Sequence, residues 1–141
     1  MRFRLFGFAL LAAPVALGAC LNTDVGPTGP TVSTTVDGRV LKQDGTAVKG
    51  GAQVFFALTS KPVNGTAQLL ATLQVTAGED GRFTGAFIVG GDPGEGEVSL
   101  RVTPPLASGL LQVDTLAIPV TLGSAFPSRD TTYVEVTLPP R

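Results

Sequence analysis

Gly96-Glu97-Val98-Ser99-Leu100-Arg101-Val102-Thr103 is the stretch whose reading decides the fold. Val98, Leu100 and Val102 alternate with Glu97, Ser99, Arg101 and Thr103. Successive side chains point to opposite faces in an extended chain, so this period of two predicts a strand with one buried and one wet face. Pro104-Pro105 ends it, because two adjacent prolines offer no N–H to a ladder.

The same period recurs on both sides of that stretch. From Thr34 on, Val36, Gly38 and Val40 share a face and Asp37 and Arg39 take the other. Asp44-Gly45 is a tight-turn dipeptide, and Gly50-Gly51 marks a second break. Residues 52–58 predict a second strand with Val54, Phe56 and Leu58 inward; Phe55 falls on the opposite face. Residues 69–77 predict a third, with Leu69, Ala71, Leu73 and Val75 inward. After the turn Gly78-Glu79-Asp80-Gly81, residues 82–89 predict a fourth, with Phe83, Gly85, Phe87 and Val89 in line. Residues 112–122 predict a sixth strand with Leu116, Ile118, Val120 and Leu122 inward and Pro119 outward, as at an edge or bulge. Residues 131–138 predict a seventh, with Thr132, Val134, Val136 and Leu138 inward. Seven alternating strands predict an all-β, Greek-key β-sandwich spanning residues 34–139.

Ahead of that domain stands a different kind of sequence. Arg2 and Arg4 precede an apolar run from Leu5 to Leu17, followed by Gly18, Ala19 and Cys20. A charged start, an apolar middle and small residues at the end are the pattern of a secretory signal over residues 1–19. The run is shorter than a membrane span needs and contains Pro14. Leu17-Gly18-Ala19-Cys20 resembles the lipobox of bacterial lipoproteins. That resemblance implies cleavage before Cys20, acylation of its thiol and anchoring in a membrane. Leu21 stands where an aspartate would imply inner-membrane retention, so the resemblance points to the outer membrane, on its periplasmic or surface face. Residues 20–33, with Gly26-Pro27 and Gly29-Pro30, read as the lipidated cysteine and a tether.

Two further stretches resemble carboxypeptidase regulatory-like domains. Val36-Asp37-Gly38-Arg39-Val40, Asp44-Gly45 and then Val48-Lys49-Gly50-Gly51-Ala52-Gln53-Val54 are similar to that family's opening strand, turn and V-x-G-A-x-V step. Gly78-Glu79-Asp80-Gly81-Arg82-Phe83 is similar to its D-x-D-G-x-F turn, and residues 96–102 to its G-x-Y-x-L-x-V strand, with Val98 where an aromatic is usual. The likeness covers about residues 34–105. It implies an immunoglobulin-like or prealbumin-like (transthyretin-like) sandwich and little about activity.

Composition narrows the chemistry. The sequence has 10 basic and 11 acidic residues; without Arg2 and Arg4 the remainder holds 8 and 11. This mild negative balance speaks against nucleic acid, which wants a basic patch. Histidine is absent and Cys20 is the single cysteine, so histidine-based triads and Cys–His pairs are ruled out. No cofactor, metal or small-molecule substrate is expected, and no catalytic residue. Paired carboxylates remain: Glu79-Asp80 in a turn, and Glu95 with Glu97. Their plain reading is solvated charge. The sharper readings are a calcium site joining Asp44 to Glu79-Asp80, or a carboxylate-pair hydrolase. Asn64-Gly65-Thr66 matches a glycosylation sequon and also reads as a loop turn. Residues 90–94 lack the lysine and helix of a phosphate cradle.

Leu106, Leu110 and Leu111, with Phe126 and Phe55, are the candidate partner contacts; the loop leucines also read as a plug for the open end of the sandwich. The expectation is a non-catalytic, membrane-anchored envelope lipoprotein that binds or supports an envelope protein or glycan. The alternatives are a bare structural spacer and, third, the hydrolase.

Overall fold

The computed structural model describes residues 29–62, 64–114, 117–124 and 130–141. The leader, Cys20, most of the tether, Leu116 and Phe126 lie outside the described residues. The described chain is all-β with one short 3-10 turn at Leu106–Ser108. Its strands are β1 (Thr31–Lys42), β2 (Gln53–Ser60), β3 (Leu69–Thr76), β4 (Arg82–Gly90), β5 (Gly94–Thr103), β6 (Val113–Asp114), β7 (Ile118–Ser124) and β8 (Thr131–Leu138).

Eight strands replace the expected seven. The single sixth strand expected over residues 112–122 is two: β6 and β7 pair with different parts of β5, Asp114 opposite Arg101 and Ile118 opposite Val98. The first strand starts at Thr31, three residues early, because β4 continues to Gly90 and pairs with it there.

The strands form two layers. In one, β1 is central, antiparallel to β4 on one side and parallel to β8 on the other. In the other, β2 lies between β3 and β5, and β5 continues to β7. β7 joins the layers: residues 118–122 pair with β5, and Gly123 and Ser124 turn to pair with Ser33 and Val32 of β1. A strand that changes sheets in this way closes one corner of a sandwich.

The inward faces are the ones the period of two predicts. Val32, Val36 and Val40 of β1, Val54, Phe56 and Leu58 of β2, and Val98, Leu100 and Val102 of β5 are all buried. Phe83 and Phe87 of β4 and Val136 and Leu138 of β8 complete the core. One inward assignment is corrected. Leu69 is 64% exposed, because a bulge between Leu58 and Thr59 shifts the β2–β3 register. A one-residue slip moves a side chain to the other face, and Leu70 takes the inward place instead.

Thr34 is the one polar residue in this core, 1% exposed, and its Oγ1 has no hydrogen-bond partner among the described residues. A buried hydroxyl left unpaired costs about 1–3 kcal/mol. Thr34→Val keeps the shape and removes the penalty. It is expected to stabilise the domain by about 1 kcal/mol, read as a higher urea midpoint at unchanged slope; a lower midpoint would show that the hydroxyl has a partner.

Candidate functional site

The end of the sandwich where β1 begins carries a cleft of about 550 Å³. Three pieces of chain shape it. The residues after β2 supply Lys61 and Pro62, and Gln68 follows before β3. The β4–β5 turn, residues 90–94, supplies glycines, Asp92 and Pro93. Glycine and proline keep both pieces out of regular pairing, so they leave the layers open at this end. Leu70, with Pro62 and Pro93, gives the apolar wall, and the buried Val32 and Leu122 stand behind it. The backbone holds the rim together: Lys61 N–H donates to the Glu95 carbonyl (3.0 Å), Ser60 N–H to Gln68 (2.8 Å) and Gly91 N–H to Pro30 (2.9 Å).

Lys61, Asp92 and Glu95 are the charged residues of the lining. Lys61 forms an ion pair with Glu97. That carboxylate's hydrogen bond and charge, with a contribution from Glu95, hold the Lys61 ammonium above its usual value. Asp92 and Glu95 are in no ion pair among the described residues. The rim is therefore net negative, with one cation already matched. Sequence reasoning missed this site. Its signal was present in Lys61-Pro62, the glycine-rich residues 90–94 and Glu95, but nothing in the sequence places those two loops side by side.

The described candidate contact residues differ in exposure. Leu106 is 91% exposed and Leu111 46%, while Leu110 is buried. Leu110 is tied down by the C-terminus: Leu111 N–H donates to Pro139 O, and Arg141 N–H to Gly109 O. Leu110 is thus the plug, and Leu106 stands free of it. Phe55 is 38% exposed on the outer face of β2, opposite Gln74 and Arg101.

The Asp80 turn meets β1 a few residues ahead of Asp44, through Val40 N–H to Gly81 O (2.8 Å). The two carboxylates point to local donors. Asp44 accepts from the Thr46 N–H (2.9 Å) and hydroxyl (2.6 Å); Asp80 accepts from Arg82 N–H (3.1 Å). Among the described residues no group of three His, Cys, Asp or Glu stands ready for a metal. The two Thr46 bonds, with help from Lys42, hold the Asp44 carboxyl below the 3.8 of a free aspartate. A lowered folded value means that Asp44 stabilises fully above 3.8 and loses that effect as pH falls through the lower value. Urea unfolding between pH 5 and pH 2 is expected to show a shallower acid loss in Asp44→Ala than in the parent; identical slopes would remove the Thr46 bonds as its cause.

No protein-family model matches the chain, nor does any curated protein sequence. Among solved structures it is similar to 3-chlorocatechol 1,2-dioxygenase from Rhodococcus opacus 1CP, at 15% identity and a TM-score of 0.49 over 81% of this chain and 61% of that one. It is also similar to hydroxyquinol 1,2-dioxygenase from Pseudomonas putida DLL-E4, at 12% and 0.48 over 78% and 57%. A third is the dioxygenase domain of a dioxygenase and carbohydrate-binding fusion from Streptomyces sp. SirexAA-E, at 16% and 0.41 over 79% and 83%. The chain spans about three fifths of the length of the first two.

This finding corrects the expectation of a non-catalytic envelope module. The solved structures of similar build are dioxygenases. A likeness of this size carries no activity to this chain. Its residues also do not form the common non-haem iron site of two histidines and a carboxylate, because the sequence has no histidine. No step through such a metal is derived.

Proposed function

We propose that this protein is a lipid-anchored envelope domain whose end cleft binds a small cationic amphiphile. The observation that carries the reading is the cleft itself. About 550 Å³ lies within the range that holds a small organic ligand. One wall is Leu70 with Pro62 and Pro93, backed by Val32 and Leu122, and the rim carries Asp92 and Glu95, which are in no ion pair among the described residues. An apolar body fits the wall and an ammonium fits the rim. An anion meets a rim of net negative charge. The leader and Cys20 support the anchor, and the carboxypeptidase regulatory-like stretches support a transthyretin-like sandwich as its carrier.

Isothermal titration with n-octylamine, octanoate and octyl glucoside tests the ligand class. The chain from residue 21 serves, since every core residue falls between Val32 and Leu138. Saturable one-to-one binding of octylamine is expected, with no binding of octanoate. Asp92→Asn with Glu95→Gln is expected to weaken it about tenfold, the size of one charge-assisted hydrogen bond. Absence of octylamine binding, or equal binding of octanoate, would overturn the reading.

A further inference from the structure

We propose that the cleft faces the bilayer and takes its amphiphile from the membrane surface, an inference that rests on the ligand reading above and on acylation of Cys20. The argument is geometric. β1 begins at Thr31, and Val32 already stands behind the cleft wall. The preceding residue, Pro30, is bonded through its carbonyl to Gly91 N–H on the cleft rim (2.9 Å). The chain therefore enters the domain at the edge of the cleft. The anchor and the ligand opening share one end of the sandwich.

Chain length then limits the orientations. Pro30 lies ten positions after Cys20, and ten steps of chain reach at most about 33–36 Å when fully extended. β1 runs 12 residues away from the cleft to Lys42, a span of about 36 Å at the rise of a strand. To rest its far end on the membrane, the upright domain would lift the chain entry by that span. The tether would have to be taut to its limit. For an upright domain, every shorter path leaves the cleft end nearer the bilayer than the Asp44 end.

The shared placement also changes the local supply of ligand. An amphiphile partitions into the membrane, and a tether confines the cleft to a thin layer above it. Effective concentrations in the millimolar range follow from short linkers of this kind. The occupant this favours is a single-chain amine-bearing amphiphile held at the bilayer surface. Asp92 and Glu95 would meet its ammonium first, and Leu70, Pro62 and Pro93 its chain.

The test uses the full-length lipidated protein in phosphatidylcholine vesicles. With the Cys20 thiol acylated, a dye can be placed at a new cysteine in Pro93→Cys, on the cleft rim, or in Gln43→Cys, beyond the far end of β1. Energy transfer to a lipid-headgroup acceptor is expected to be at least twofold stronger from position 93 than from 43. Vesicles carrying dodecylamine supply the second readout. By native mass spectrometry, the lipidated protein is expected to be at least tenfold more occupied than the chain from residue 21 at equal concentration. Equal or reversed transfer, equal occupancy, or an unacylated Cys20 would overturn this inference while octylamine binding in solution stands. Loss of octylamine binding in solution would instead remove the ligand reading beneath it.

Discussion

Gly38→Ala is expected to destabilise the domain by about 3–4 kcal/mol, a large share of the 5–15 kcal/mol that holds a domain folded. Gly38 faces inward at the middle of β1, with Phe83 of β4 opposite it on one side and Val134 of β8 on the other. A Cβ there would run into the Phe83 ring and into the Val134 carbonyl oxygen. The ring can turn only against a filled core, and the carbonyl belongs to a backbone fixed by the parallel β1–β8 ladder. Overpacking of this kind typically costs 1–3 kcal/mol, more when backbone is the obstacle. Gly29→Ala is the control. Nothing lies within 4 Å of its Cβ position, so its effect is expected within about 0.5 kcal/mol. Urea unfolding of both proteins decides it: equal midpoints would mean that β1 and β8 are not paired as described.

Phe56→Ala carries the second large effect, an expected loss of about 3–5 kcal/mol. Phe56 is fully buried and is among the largest of the fully buried side chains. Its ring meets Phe83 edge-on at 5.8 Å and Phe87 at 6.0 Å. Between those two phenylalanines on β4 stands Gly85, and the tip of the Phe56 ring occupies the room that Gly85 leaves. A Cβ on Gly85 would lie 2.7 Å from Phe56 Cζ. The pair is therefore one fitted unit across the two layers. Gly85→Ala alone is expected to cost about 1–3 kcal/mol by overpacking. In a Phe56→Leu background the same change should cost less, because the shorter side chain withdraws from Gly85. A double-mutant cycle read by thermal or urea unfolding should give a coupling of about 1 kcal/mol or more. Strict additivity would mean that Phe56 and Gly85 do not touch.

The cleft depends on this same packing only indirectly. Val32 and Leu122 belong to the core and stand behind the cleft wall, so the apolar wall rests on the core. The charged rim sits on loops, where Asp92 and Glu95 are exposed. Affinity and stability are thus separable: the rim carboxylates can be neutralised without opening the sandwich, while Gly38 and Phe56 report on the scaffold.

What the sequence by itself determined here was the strand content and the inward face of each long strand. The alternation of Val98, Leu100 and Val102 with charged and polar residues names that face without any partner, because a strand's period is set by its own backbone. The prolines after Thr103 and the glycines of the turns likewise act locally. The lipobox-like leader is a local pattern too. Only the tertiary structure decided the rest. Leu69 turned outward because a bulge arises between two strands and belongs to neither sequence alone. Residues 112–122 split into two strands because β5 offers its edge in two places. Gly38 and Gly85 read as plain inward positions until β8 and Phe56 were set against them. The cleft has the same origin. Pro30, Lys61, Asp92 and Leu122 are far apart in the chain, and a binding site is a relation in space between such residues, fixed by the sheet pairing that brings their strand ends together.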